Sequence, residues 1–279
     1  MASLILQFKK LLQPIFNQIF RTSNLDINET FPLFRPSSAG TYNARAALTI
    51  LAINQILPFL NTLTKHFKKK EIALENIECL SLNSQIKTSA SELKYLLDKH
   101  GSDKANSNNY HHLYGAILRD KLKVRNIFEI GLGSNNPDIV SHMGMNNKPG
   151  ASLRAFRDYC PNAFVYGADI DKQILFKEER IKTFFVDQTK PVTFDFLLKK
   201  IPEKFDLVID DGLHQPNANI ASFCFGLKII KTGGWIVIED ISIEAICVWQ
   251  IISSLLPNSY EPHIFSTDKA IIFAVKKLH

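Results

Sequence analysis

The sequence predicts an α/β protein, with a mostly parallel sheet covered on both faces and a helical N-terminal extension. Three observations carry this. Apolar strand-like runs alternate with helical segments after about residue 120. Glycine is almost confined to the C-terminal part, with only Gly40 in the first hundred residues and the other 11 from Gly101 onward. The last two runs, Pro262–Ser266 and Ala270–Val275, are joined by Thr267-Asp-Lys and read as a β-hairpin. Alternation of strand and helix implies parallel strands with helices on both faces.

The elements follow in order. Leu4, Phe8, Leu11, Leu12, Ile15, Ile19 and Phe20 recur at helical spacing, interrupted by Pro14. The charges there interrupt the apolar positions rather than precede them, so the start does not read as a signal peptide. A second apolar stretch, Ala46 to Leu63, contains Asn54, Gln55, Pro58 and Asn61 and runs into Lys65-His-Phe-Lys-Lys-Lys70. No stretch of about 18 uninterrupted apolar residues exists, which speaks against a membrane-spanning helix. A helix packing on the rest of the protein or on a second subunit is favoured over peripheral membrane contact through residues 1–70. Ser89-Ala-Ser-Glu92 has the form of a capping box opening a helix through Leu93, Leu96 and Leu97. Gly101-Ser-Asp-Lys104 forms a loop, and Tyr110, Leu113, Tyr114, Ile117 and Leu118 form the next helix. Strands are expected at 126–130, 164–167, 183–186, 205–209 and 235–238, with helices around 151–159, 192–200, 217–230 and 242–255. The organisation expected is an extension over 1–90 and an α/β domain over 91–279.

Composition narrows the function classes. The chain has 279 residues, 46% hydrophobic and 22% charged, which suits a globular protein and not a disordered one. Its formal charge of +6 comes from the N-terminal quarter: residues 1–70 hold nine Lys/Arg and two Asp/Glu, the remainder 24 and 25. With the remainder near neutral, nucleic-acid binding is not expected. Four cysteines, Cys79, Cys160, Cys224 and Cys247, show no C-x-x-C pairing. Reduced thiols and a cytoplasmic protein, with membrane association as the alternative, are the expectation.

The candidate chemistry lies at strand ends. Phe128-Glu-Ile-Gly-Leu-Gly-Ser134 leaves a strand, and Gly131 and Gly133 let the backbone approach a ligand closely. The third glycine of the dinucleotide fingerprint is absent, since position 136 is Asn. Asp169 ends the next strand, where a carboxylate can accept ribose hydroxyls, and Asp187 ends the third, within reach of an adenine amino group. Each could instead cap the following helix. Together they favour an adenosyl ligand without a pyrophosphate, so S-adenosylmethionine fits better than NAD. Leu207-Val-Ile-Asp-Asp-Gly-Leu-His214 and Ile236-Val-Ile-Glu-Asp240 end the fourth and fifth strands. Asp211, Glu239 and Asp240 would repel one another in a small space unless a divalent cation joined them, and oxygen donors suit Mg²⁺. His214 beside them is a candidate general base, since imidazoles as a class titrate near neutrality.

From about 95 to 245 the chain resembles a bacterial class I methyltransferase family of sugar and macrolide O-methyltransferases, the mycinamicin type. The resemblance rests on Gly101-Ser-Asp-Lys104, Phe128–Ser134, Ser152-Leu-Arg-Ala-Phe-Arg-Asp-Tyr-Cys-Pro-Asn162, Val165–Asp169, Val186-Asp-Gln188, Ile209–His214 and Gly233–Asp240. It implies a Rossmann-like sheet and S-adenosylmethionine as cofactor, in contact with Glu129, Gly131, Gly133, Asp169, Asp187 and Asp210. It also implies Mg²⁺ at Asp211, Glu239 and Asp240, His214 as catalytic base, and a sugar or glycosylated small molecule as acceptor. A homo-oligomer is a further expectation. Asn135–Gly144 lengthens the loop after Gly133 relative to the family, and residues 1–90 fall outside the resemblance. A non-catalytic relative of the fold and an NAD-dependent oxidoreductase are the alternatives. Gly101–Lys104 and Tyr110–Tyr114 are candidates for a substrate wall, although aromatics at helical spacing are more often core.

Overall fold

A computed structural model describes residues 42–66, 71–144, 148–202 and 204–279. The helix expected over Leu4–Phe20 lies outside the described residues. Contacts divide the chain into two units, 1–60 and 61–279. The sheet-bearing unit thus begins upstream of the boundary expected at residue 91. The reason is local: Leu74–Asn76 forms an edge strand and Ile77 and Ala90 are buried in the core.

Helix α1 spans Tyr42–His66 and continues through Pro58. Within it Ala46–His66 is long and apolar enough to cross a membrane by length and composition, with a mean hydropathy of 1.5. Asn54 and Gln55, which interrupt the apolar run in the sequence, do not interrupt the helix.

The strands are β1 Leu74–Asn76, β2 Asn126–Ile130, β3 Phe164–Asp169, β4 Lys177–Glu178, β5 Ile181–Phe185, β6 Phe205–Asp210, β7 Ile230–Ile241, β8 Tyr260–Ser266 and β9 Ile271–Lys277. They form one sheet in the order β1-β8-β9-β7-β6-β2-β3-β5-β4. β7, β6, β2, β3 and β5 are mutually parallel. β9 lies antiparallel between β7 and β8, as the expected terminal hairpin requires. The crossover helices are α4 Ala151–Tyr159, α5 Pro191–Leu198, α6 Pro216–Ile229 and α7 Ile246–Leu255; α2 Ser84–His100 and α3 His111–Ile117 precede β2.

Strand alternation sets the two faces. Ile127, Val165, Leu207, Val237 and Ala274 pack with Leu93, Leu97, Tyr114 and Phe156 of α2, α3 and α4. Phe128 and Phe273 point to the other face, where Phe225 of α6 packs on Phe128 and Phe223 and Trp249 pack on Phe273. The start of α2 differs from expectation. Asn83 caps the helix, its Oδ1 accepting from the amides of Gln85 and Ile86, and Ser89 lies inside it. Asn83 satisfies the first-turn amides six residues earlier than the capping box would, so the helix begins there.

His111 at the head of α3 carries a pH signature. Burial, with His112 and Lys94 adding to it, pushes its imidazole down to about 4 from an ordinary 6.5. The unfolded chain therefore takes up the proton first, and stability is lost as pH falls from about 6.5 towards about 4. Urea denaturation at about pH 7 and about pH 5 should show a larger loss for the wild type than for His111→Gln.

Candidate functional site

A cleft of about 390 Å³ opens at the C-terminal ends of β2, β3, β5, β6 and β7. That is where ligands bind in parallel α/β sheets, and the volume suits a small-molecule site. Its floor is the loop after β2. Gly131 and Gly133 adopt φ of +90° and +77°. A Cβ on Gly131 would lie 1.9 Å from the carbonyl oxygen of Asp211, so glycine here lets the loop after β2 touch the loop after β6. At Gly133 a Cβ would meet Met143, which returns from the long loop together with Ile139 and His142 to line the cleft.

Asp169 lines the cleft beside this loop. Its Oδ2 accepts from the Leu132 amide at 2.7 Å and its Oδ1 from the Asp171 amide at 2.8 Å. Asp171 holds the loop from the other side, accepting from Ser134 Oγ at 2.5 Å. Asp187 also lines the cleft, and its Oδ1 accepts from the amide and hydroxyl of Thr189. Burial works against its charge, but Thr189 and Lys190 hold its carboxyl below the usual range.

Glu129 and Asp210 do not reach the cleft wall, and alternation explains why. Asp210 pairs in register with Ile130 and Ile238 and shares their face. There it accepts from Gln188 Nε2 at 2.7 Å and Asn219 Nδ2 at 2.9 Å, and burial pushes it up to about 6. It ties the loops after β5 and β6 to α6 from behind. Glu129 and Glu239 point to the opposite face and are fully buried. Glu129 Oε2 accepts from Ser152 Oγ at 2.7 Å.

Lys104 and two tyrosines meet these acids. The Lys104 ammonium lies 2.5 Å from Asp211 Oδ2 and 3.2 Å from Glu129 Oε1, and it donates to Glu239 Oε2. Tyr114 donates its hydroxyl to Glu239 Oε1, and Tyr110 to Asp240 Oδ1. Burial alone would push the lysine down, but Asp211, Glu239 and Glu129 more than reverse this and hold it charged. Burial and the neighbouring acids keep both phenols protonated, as donors must be. Both glutamate oxygens at 239 are therefore occupied, whereas Asp211 and Asp240 each keep one oxygen for the cleft.

Those free oxygens converge on His214, whose Nε2 lies 3.8 Å from Asp211 Oδ1 and 3.8 Å from Asp240 Oδ2. One ligand atom from each of Asp211, His214 and Asp240 falls within 4.8 Å of the others. Asp240 and His214 have φ of +53° and +58°, a left-handed conformation uncommon outside glycine that Asp and His adopt more readily than most residues. Two such residues facing one another mark the loop after β6 and the irregular end of β7 as shaped for this convergence. The structure thus brings Asp211, Asp240 and His214 together at the mouth and sets Glu239 immediately beneath. Lys104 and the tyrosines escape a reading by strand ends because they lie before β2 and reach the site only through the fold. Gly101-Ser-Asp-Lys104 and the Tyr110/Tyr114 spacing were their sequence signal.

No family model matches the chain. It is 31% identical over 146 residues to 8-demethyl-8-alpha-L-rhamnosyl tetracenomycin-C 2'-O-methyltransferase of Streptomyces olivaceus, covering 51% of this chain and 36% of that one. It is 37% identical over 92 residues to mycinamicin VI 2''-O-methyltransferase of Micromonospora griseorubida, covering 33% and 23% respectively. The matched stretch thus spans about a third or less of these relatives' own length. Among solved structures it superposes with a TM-score of 0.55, at 22% identity, on the MycE methyltransferase of the mycinamycin pathway in complex with Mg, SAH and mycinamycin VI, covering 67% of this chain and 54% of MycE. The fold is that of a class I methyltransferase. The antiparallel β9 between β7 and β8 is the feature of the methyltransferase sheet that the C-terminal hairpin foretold.

Gly131→Ala tests the contact on which this site is built. The positive φ alone costs of order 1–3 kcal/mol with a side chain present, and the Asp211 carbonyl cannot move without dragging its carboxylate. A lowered urea midpoint is expected. A wild-type midpoint would show that the two loops do not touch.

Proposed function

We propose that the unit from Asn61 to His279 is a methyltransferase domain that binds S-adenosylmethionine over the glycine loop and methylates a hydroxyl of a sugar or glycosylated small molecule. The observation that carries it is the convergence of Asp211, Asp240 and His214 at the edge of a cleft whose other end is the glycine loop and Asp169. The named activities of the matching relatives, sugar O-methyltransferases, support the acceptor class.

The site fits both groups. The cofactor end offers backbone amides and two carboxylates, Asp169 and Asp187, and lacks the third glycine that a pyrophosphate would use. At the chemical end Glu129, Asp211, Glu239 and Asp240 set four carboxylates against the single ammonium of Lys104. An excess of oxygen donors with negative charge suits a divalent cation such as Mg²⁺, held by Asp211 and Asp240 with Glu239. When bound, the ion lowers the pKa of an acceptor hydroxyl and orients it, while the sulfonium supplies the methyl group.

The chain's own residues complete the work. His214 presents Nε2 to the cleft, and its Nδ1 is buried, so Nε2 is the atom that takes the hydroxyl proton. Asp211 and Asp240 flank that nitrogen and stabilise the imidazolium formed. The loop 139–143 and the Ser102–Lys104 turn narrow the cleft, which excludes water and aligns the acceptor with the methyl donor. The products are the methyl ether, S-adenosylhomocysteine and a proton on His214.

Calorimetry with S-adenosylhomocysteine, with NAD as control, tests the cofactor. Binding of the former alone is expected, weakened in Asp169→Ala. His214→Ala should retain that binding and lose about 10²–10⁴-fold in methyl transfer to a rhamnoside acceptor. Binding of NAD alone would refute the proposal, and undiminished turnover in His214→Ala would remove the base assigned to it.

A further inference from the structure

Lys104 is 2% exposed, and its ammonium donates to Asp211 and Glu239 and forms an ion pair with Glu129. Two of the three, Asp211 and Glu239, belong to the set expected to hold the divalent ion. The third is different. Among the described residues none donates a hydrogen bond to the buried Glu129 Oε1, with the ammonium 3.2 Å away, while Ser152 fixes the other oxygen of the same carboxylate. Buried acids without a counter-ion are strongly unfavourable and are pushed toward protonation, so an ammonium among them is what keeps them charged when the metal is absent.

We propose that Lys104 is a resident counter-ion that stands between Asp211 and Glu239 in the metal-free protein and gives way to the divalent cation, withdrawing onto Glu129. The inference rests on the divalent cation of the preceding section. Lys104 is then a positioning residue. It keeps the loop after β6 and the end of β7 assembled before the metal arrives, and it sets how tightly the metal is held, because the ion competes with the ammonium for the same oxygens. Glu129 is the place of withdrawal: its open oxygen already faces the ammonium, and Ser152 holds it there. Tyr114 keeps the second oxygen of Glu239 in place throughout. The side-chain shift is small, and the lysine stays charged in both states.

Calorimetric titration of Mg²⁺ and Mn²⁺ into the full-length chain tests this, alongside melting curves with and without saturating Mg²⁺. Three proteins are compared: the wild type, Lys104→Met, and the double variant Lys104→Met/Glu129→Gln. Lys104→Met is expected to melt at a lower temperature than the wild type without metal, to regain most of the difference with Mg²⁺, and to bind Mg²⁺ at least about tenfold more tightly. The double variant removes one negative charge with the positive one, so the cluster's net charge is unchanged and folding does not depend on metal. It too should bind Mg²⁺ several-fold more tightly than the wild type, because the competitor is gone. Wild-type or weaker affinity in the double variant would overturn the inference, making the lysine a support for the metal's ligands and not an occupant of their site. Absence of Mg²⁺ and Mn²⁺ binding in all three folded proteins would overturn the inference together with the cation, a result distinct from equal affinities.

Discussion

Four carboxylates and one ammonium share the end of the central strands, and the arrangement of the site depends on how that charge is distributed. Like charges in a medium less polarisable than water repel strongly, and each unpaired one carries a desolvation penalty as well. Lys104 answers three of the acids, and Tyr110 and Tyr114 supply neutral donors to the two on β7. The result separates a buried layer of Glu129 and Glu239, its one open Glu129 oxygen turned toward the Lys104 ammonium, from an outer layer of Asp211 and Asp240. The buried layer fixes positions. The outer layer is left short of positive charge where the cleft begins.

The backbone imposes this separation before any side chain chooses a partner. Alternation along β2 and β7 turns Glu129 and Glu239 to the face covered by α2, α3 and α4, and the same alternation turns Asp210 to the face covered by α6. Asp211 and Asp240 stand one residue beyond Asp210 and Glu239, Asp211 just past the end of β6 and Asp240 at the irregularity near the end of β7. Gly131 then brings the loop after β2 against the loop after β6, joining the cofactor end to the chemical end through a backbone contact. Asp169 and Asp171 clamp the glycine loop from β3. A ligand bound over that loop is thereby held in fixed register with Asp211 and His214.

Much of this was legible in residue patterns. The apolar runs between helical segments placed the five central parallel strands and the hairpin, and the paired acids after Ile209 and Ile238 marked the ends of the fourth and fifth. What escaped had a physical reason in each case. Asn83 and Ser89 both offer helix caps, and sequence alone does not rank two competent caps on one helix. Asp210 and Asp211 are adjacent and chemically alike, yet the pleat sends them to different places. Asp169 was expected to meet ribose, and in the structure both its oxygens also hold the loop. Lys104 stands 107 residues before Asp211 and 135 before Glu239, so only the packing of its turn against the sheet makes it their partner.

Crystals soaked in MnCl₂ and measured for anomalous scattering would test the central claim most directly, since that claim is a cation position and not a rate. A single strong peak is expected in contact with carboxylate oxygens of Asp211, Glu239 and Asp240, beside His214. Well-ordered crystals with no anomalous density among these residues, or with manganese bound only elsewhere, would contradict it.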